Sequence, residues 1–133
     1  MSGQIMVQRA ADRPRTRLPW LDSSHSFSFG SHYDPANMGH GLLIVNNDDR
    51  VQAGTGFSTH PHEDMEIVTW VLSGELEHVV NGKSEVLKPG MSGFVKPPDS
   101  VRHKTGPAGA KVVVVWVPGD EGKKIASRWK LEP

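Results

Sequence analysis

The sequence predicts an all-β domain, a small barrel or sandwich, and three observations carry that prediction. Short extended segments recur at ~8–12-residue spacing with turn residues between them, the pattern of sheets packed on each other or closed on themselves. Gly supplies 14 and Pro 10 of the 133 residues, and both interrupt helices. No stretch repeats apolar residues at helical spacing over a useful length.

The elements follow in order. The segment from Met1 to Pro19 is polar, with Arg9, Arg13, Arg15 and Arg17, and reads as a solvated arm or an edge strand beginning at Ile5-Met6-Val7. Ser24 to Phe29 alternates polar and apolar residues, a strand signal. Gly30 to Gly41 is rich in turn formers, Leu42 to Val45 reads as a short buried strand, and Asn46-Asn47-Asp48-Asp49 as a turn. Ala53-Gly54-Thr55-Gly56-Phe57 leads into His60-Pro61-His62, and Glu66 to Leu72 is a strong strand ended by Ser73-Gly74. Asn81-Gly82, the preferred pair for a type I′ turn, closes a hairpin that sets Val80 opposite Lys83 and His78 opposite Glu85. On that reading His78 and Glu85 pair on the outside of the hairpin. Gly93 to Val95 is a short strand and Val112 to Val117 a buried one. A helical turn near Ile125 to Trp129 closes a polar tail that starts at about residue 118. Residues 1–133 thus read as one domain with an arm over about 1–19.

Composition narrows the function. Without cysteine there is no disulfide, thiolate metal site or cysteine nucleophile. Lys+Arg and Asp+Glu both number 15, which gives no net basic face for a phosphate backbone. Neither a basic, then apolar, leader nor an apolar run of membrane-spanning length is visible, so the expectation is a cytoplasmic protein without nucleic-acid or membrane partners.

Among seven histidines, His60 and His62 stand out. Residues i and i+2 of an extended segment share a face, so two imidazoles there can reach one ion. Glu66 has the same parity and faces inward if the strand continues without a bulge. His103, just after a turn, is a third ligand candidate. Such a set leaves open positions on iron, manganese, nickel, copper or zinc. His25, His32 and His40 read as surface residues, Trp70 and Phe94 as core, and Trp116 and Trp129 as cover for an interface, so a homodimer is compatible with the sequence.

The order of these residues resembles a known pattern. Gly54, His60-Pro61-His62 and Glu66, then Gly90 through Pro98 to His103, are similar to the two halves of the cupin metal motif. Trp20-Leu21-Asp22-Ser23, Phe27-Ser28-Phe29, Tyr33-Asp34-Pro35, Met38-Gly39, the run Gly56 to Glu66 and the run Leu72 to His78 together resemble the pirin family, over about Arg9 to Val117. The resemblance implies a single cupin barrel, a double-stranded β-helix or jelly roll. It implies a divalent transition metal, iron first, held by His60, His62 and His103. It also implies a dioxygenase acting on a flavonol or similar aromatic enol, with a non-catalytic metal- or ligand-binding module as the alternative. The family's fourth ligand, a glutamate, falls on Thr105, which leaves Glu66 as the expected catalytic carboxylate. The glycine-rich turn before the third histidine is replaced by Pro97-Pro98-Asp99-Ser100-Val101, and the second, similar half that pirins carry is not in this sequence.

Overall fold

The computed structural model describes residues 5–61 and 65–119, with the backbone alone at His60 and Pro61. Eight strands make up almost all of its regular structure: β1 (Arg15–Leu18), β2 (Leu21–His25), β3 (Val45–Val51), β4 (His60–Pro61), β5 (Met65–Val80), β6 (Lys83–Leu87), β7 (Ser92–Val95) and β8 (Ser100–Pro118). The helical content among the described residues is one 3-10 turn at Ala10–Asp12. All pairings are antiparallel, in the order β1-β2-β3-β8-β5-β6, with β4 added to β8 and β7 to β5. The sheet curls on itself in the manner of a jelly roll but does not close edge to edge.

Two long strands make the curl. The first half of β5 pairs with β7 and the end of β8; its second half pairs with β6 and the beginning of β8. The ladder slips between Val71 and Ser73 and again between Gly74 and Leu76. Bulges of this kind bend a strand and raise its twist. Gly74 sits at that corner with φ +76, and a Cβ there would lie 2.0 Å from the Gly109 carbonyl oxygen, so only glycine lets the two strands cross so closely.

Alternation then sorts the side chains. Ile67, Val95 and Val101 form one buried cluster; Val71, Leu76, Leu87, Ala110 and Val112 form another. On the reverse face of β5 and β8, Val68, Trp70 and Val115 pack under Leu43 and Phe94, which places Trp70 in the core as expected and half-buried Phe94 against it. The hairpin is as read: Asn81 and Gly82 both have positive φ, and Val80 faces Lys83.

Several expectations fail, each for a physical reason. Ile5 to Val7 forms no strand; the edge strand is Arg15–Leu18, pinned by Arg15 to Asp22 and, beside it, Arg13 to Asp48. The strand expected over Ser24 to Phe29 begins earlier, at Leu21, and ends at His25. Asn46 to Asp49 is no turn but the middle of β3, because pairing with β2 and β8 on both sides satisfies its backbone. The strand expected over Val112 to Val117 begins earlier, at Ser100, because β5 and, at its start, β4 pair with it through its Gly and Pro residues. The tail beyond residue 119 lies outside the described residues. Among the described residues no helix is long and apolar enough to cross a membrane.

Candidate metal centre

His103, on β8, is positioned by β5 on one side and by the loop after β3 on the other. Its backbone N–H donates to the Phe57 carbonyl at 3.0 Å, and its partner across the β5–β8 ladder is His78. The Phe57 ring meets the His103 ring edge-on with centroids 6.1 Å apart, and Trp20 in turn meets Phe57 edge-on at 5.2 Å. Strand β4 brings the other half of the motif alongside. The His60 backbone pairs opposite Val101, two residues before His103. His62 lies outside the described residues.

Thr105, two residues beyond His103, is buried and already occupied. Its hydroxyl bonds the Gln52 carbonyl, lies 3.1 Å from the Thr55 carbonyl, and accepts from the Thr55 N–H at 3.2 Å. It ties β8 to the loop that follows β3 and is not presented as a ligand. Glu66 is 3 % exposed and pairs with Val117. Its neighbours Ile67 and Thr69 line the cavity described next, so alternation turns Glu66 to the reverse face, beside Val68 and Trp70. His60 and Glu66 also meet different stretches of β8, His60 opposite Val101 and Glu66 opposite Val117.

A cavity of about 100 Å³ opens beside His103. Phe29, Phe57, Ile67 and Trp116 make it largely apolar, while Asn47 and Asp49 of β3 form a polar wall. Trp116, expected as interface cover, lines this cavity and meets Phe29 edge-on at 5.8 Å. The polar wall is braced from behind. Ser23 donates to Asp49, His25 Nδ1 lies 2.9 Å from Asn47 Oδ1, and His25 Nε2 lies 2.7 Å from the Thr16 hydroxyl. An amide oxygen only accepts, so the His25 Nδ1 donates to Asn47. His25, expected at the surface, is fully buried in this bracket. Burial pushes the Asp49 carboxyl above its ordinary 3.8, opposed by the Ser23 hydroxyl and His25 and reinforced by Asp48.

His78 also departs from expectation. Its backbone does pair with Glu85, but the side chain is 3 % exposed and its ring lies 4.9 Å from that of His103. Its Nε2 is buried without a hydrogen-bond partner. Burial pushes this imidazole below its ordinary 6.5, against the pull of Glu85. Sequence carried a signal for this face: Leu76 and Val80 flank His78 at spacing two. Among the described residues no three His, Asp or Glu side chains yet converge as a metal-binding group.

Comparison with known proteins agrees with this geometry. The family model described as Pirin matches residues 7–117. A Mycobacterium tuberculosis (strain H37Rv) protein, whose name assigns it provisionally to the quercetin 2,3-dioxygenases, is 56 % identical over 93 residues, covering 69 % of this chain and 38 % of that protein. The Escherichia coli (strain K12) quercetin 2,3-dioxygenase is 44 % identical over 100 residues, covering 74 % and 43 %. The chain therefore spans less than half the length of these relatives. Among solved structures, bacterial pirin YhhW of E. coli in complex with nickel(II) superposes with a TM-score of 0.77 at 38 % identity, over 86 % of this chain and 52 % of that one. An RmlC-like cupin from Shewanella frigidimarina, at 19 % identity and TM-score 0.66, shares the fold.

Proposed function

This chain belongs to the pirin family, and on that premise we propose that it binds a divalent transition metal through His60, His62 and His103 and acts on a flavonol or similar aromatic enol. The observation that carries the reading is the β4–β8 pairing: it sets His60 in register two residues from His103, although 42 positions separate them in sequence. The donor chemistry fits, since imidazole nitrogens suit iron, nickel, copper and zinc, and a buried imidazole nitrogen without a partner lies next to His103. Iron is the metal the family resemblance favours; the nickel complex belongs to the E. coli relative.

A bound divalent ion would supply Lewis-acid polarisation of adjacent hydroxyl and carbonyl oxygens. The remaining work falls to this chain's own residues. Phe29, Phe57 and Trp116 offer faces and edges to an aromatic ring and exclude water. The Asn47 amide and Thr69 hydroxyl can orient substrate oxygens. The proton of a substrate hydroxyl needs an acceptor. Glu66 faces away, whereas Asp49 lines the cavity with a carboxyl whose affinity for a proton is raised by burial, the property a general base at neutral pH requires. Asp49 is therefore the carboxylate assigned to that role.

The test is oxygen uptake with quercetin after loading the metal-free protein with iron, nickel or manganese, comparing native, Asp49→Asn and Glu66→Gln. Activity lost in Asp49→Asn and kept in Glu66→Gln is expected; the reverse would return the role to Glu66. Thr105 supports a second reading. With a hydroxyl where active relatives place a carboxylate, the chain is a metal- or ligand-binding module without turnover, and stoichiometric metal with no oxygen uptake in any form would select it.

A further inference from the structure

The buried, unpartnered Nε2 of His78 calls for an occupant. A buried polar atom without a partner costs about 1–3 kcal/mol, and native structures hold few of them. His78 is no accident of a loose surface: it is 3 % exposed, in the second half of a 16-residue strand, directly across the ladder from His103. The fold also makes room for its ring. Gly93 of β7 stands against it, and a Cβ at that position would lie 3.0 Å from both Nδ1 and Cε1 of His78.

The spacing of the two rings is informative. A histidine nitrogen sits about 2.0–2.1 Å from a transition-metal ion. The ring centre then lies roughly 3.2 Å from the ion, and two imidazoles subtending about 90–109° at it have centres about 4.5–5.3 Å apart. The His78 and His103 centroids are 4.9 Å apart. Thr105 cannot compete, because its hydroxyl is committed to the Gln52 and Thr55 backbone. We propose that His78 is a ligand of the metal centre, donating Nε2 beside His103 and filling the coordination position that a carboxylate at residue 105 would otherwise hold. This rests on the metal reading above and adds to it a donor set built from histidine alone. A neutral nitrogen in place of a carboxylate leaves the centre one unit more positive, which favours binding of an anionic enolate oxygen.

If His78 served only to fill the core, its nitrogen would be indifferent to metal. Site-resolved nitrogen NMR separates the two. The chain, labelled with nitrogen-15 in histidine, is stripped of metal and titrated with Zn(II), and each Nε2 is followed through its long-range proton correlations. Nε2 of His78 and of His103 should both move to the metal-bound position at one equivalent. His103 moving while His78 keeps its free-imidazole signal would overturn the inference and leave the metal centre standing. Neither moving would overturn both. Independently, His78→Gln should weaken Zn(II) affinity at least tenfold in chelator competition, and adding Thr105→Glu to it should recover much of that loss. An affinity equal to native in folded His78→Gln would also overturn the inference; if that variant does not fold, the titration of the native chain decides.

Discussion

Thr105→Val isolates what the hydroxyl at residue 105 does. Valine keeps the shape and the β-branch and removes only the oxygen. That oxygen bonds the Gln52 carbonyl and accepts the Thr55 N–H at 3.2 Å. The Thr55 carbonyl keeps its 2.8 Å bond from the Thr105 N–H, so it loses little. Two hydrogen bonds at about 1 kcal/mol each amount to about 2 kcal/mol. For a chain of this size each kcal/mol moves the melting temperature by about 3–6 °C, so the variant should melt about 6–12 °C lower. Circular dichroism melts of the metal-free proteins measure this. Metal stoichiometry, measured on folded protein well below the melt, should be unchanged, because the hydroxyl is a strut and not a ligand. A melting point within a degree of native would refute the strut. Loss of stoichiometric metal from a stably folded variant would show that Thr105 ligates after all, and would also undercut the place given to His78.

Other perturbations read neighbouring parts of the site. At Gly56 a Cβ would fall 2.0 Å from the His103 carbonyl oxygen, so Gly56→Ala should cost at least about 2 kcal/mol in urea unfolding; native stability would mean the loop does not pack there. Leu87 is fully buried against the β7 backbone, and Leu87→Ala should cost about 2–5 kcal/mol by the same measurement, a loss below 1 kcal/mol being inconsistent with a packed core. The Asp49 carboxyl has its folded-state pKa raised above the ordinary 3.8, so its stabilising contribution is full below pH 3.8 and is lost as pH rises through the raised value. The stability of native relative to Asp49→Asn should therefore fall as pH rises above the ordinary 3.8. Parallel pH profiles for the two proteins would show that Asp49 is not held in an environment that favours its proton.

What was legible in the sequence was local. Asn81-Gly82 defines its hairpin because a type I′ turn requires positive φ at both residues and admits few others. The valine run Val112 to Val115 announced a buried strand through side-chain shape alone. The family likeness rested on contiguous motifs, and the cupin fold followed from it. The faces of the polar residues were not legible, because a face is decided by what covers it. Asn46 to Asp49 has the composition of a turn, yet β2 on one side and β8 on the other make it a strand, and Ser23 and His25 supply the partners that let Asp49 and Asn47 point inward. His78 was read outward from its pairing with Glu85; the same pairing has two faces, and the bend of β5 at Gly74 carries the His78 face under β7 and beside His103. Glu66 was read inward from its distance to His60, but its face is set by its own strand, where Ile67 and Thr69 take the cavity side and Val68 and Trp70 the other. Local backbone preference acts over a few residues and is written in the sequence; which side of a strand is closed off from water depends on segments tens of residues away, and only the folded sheet decides it.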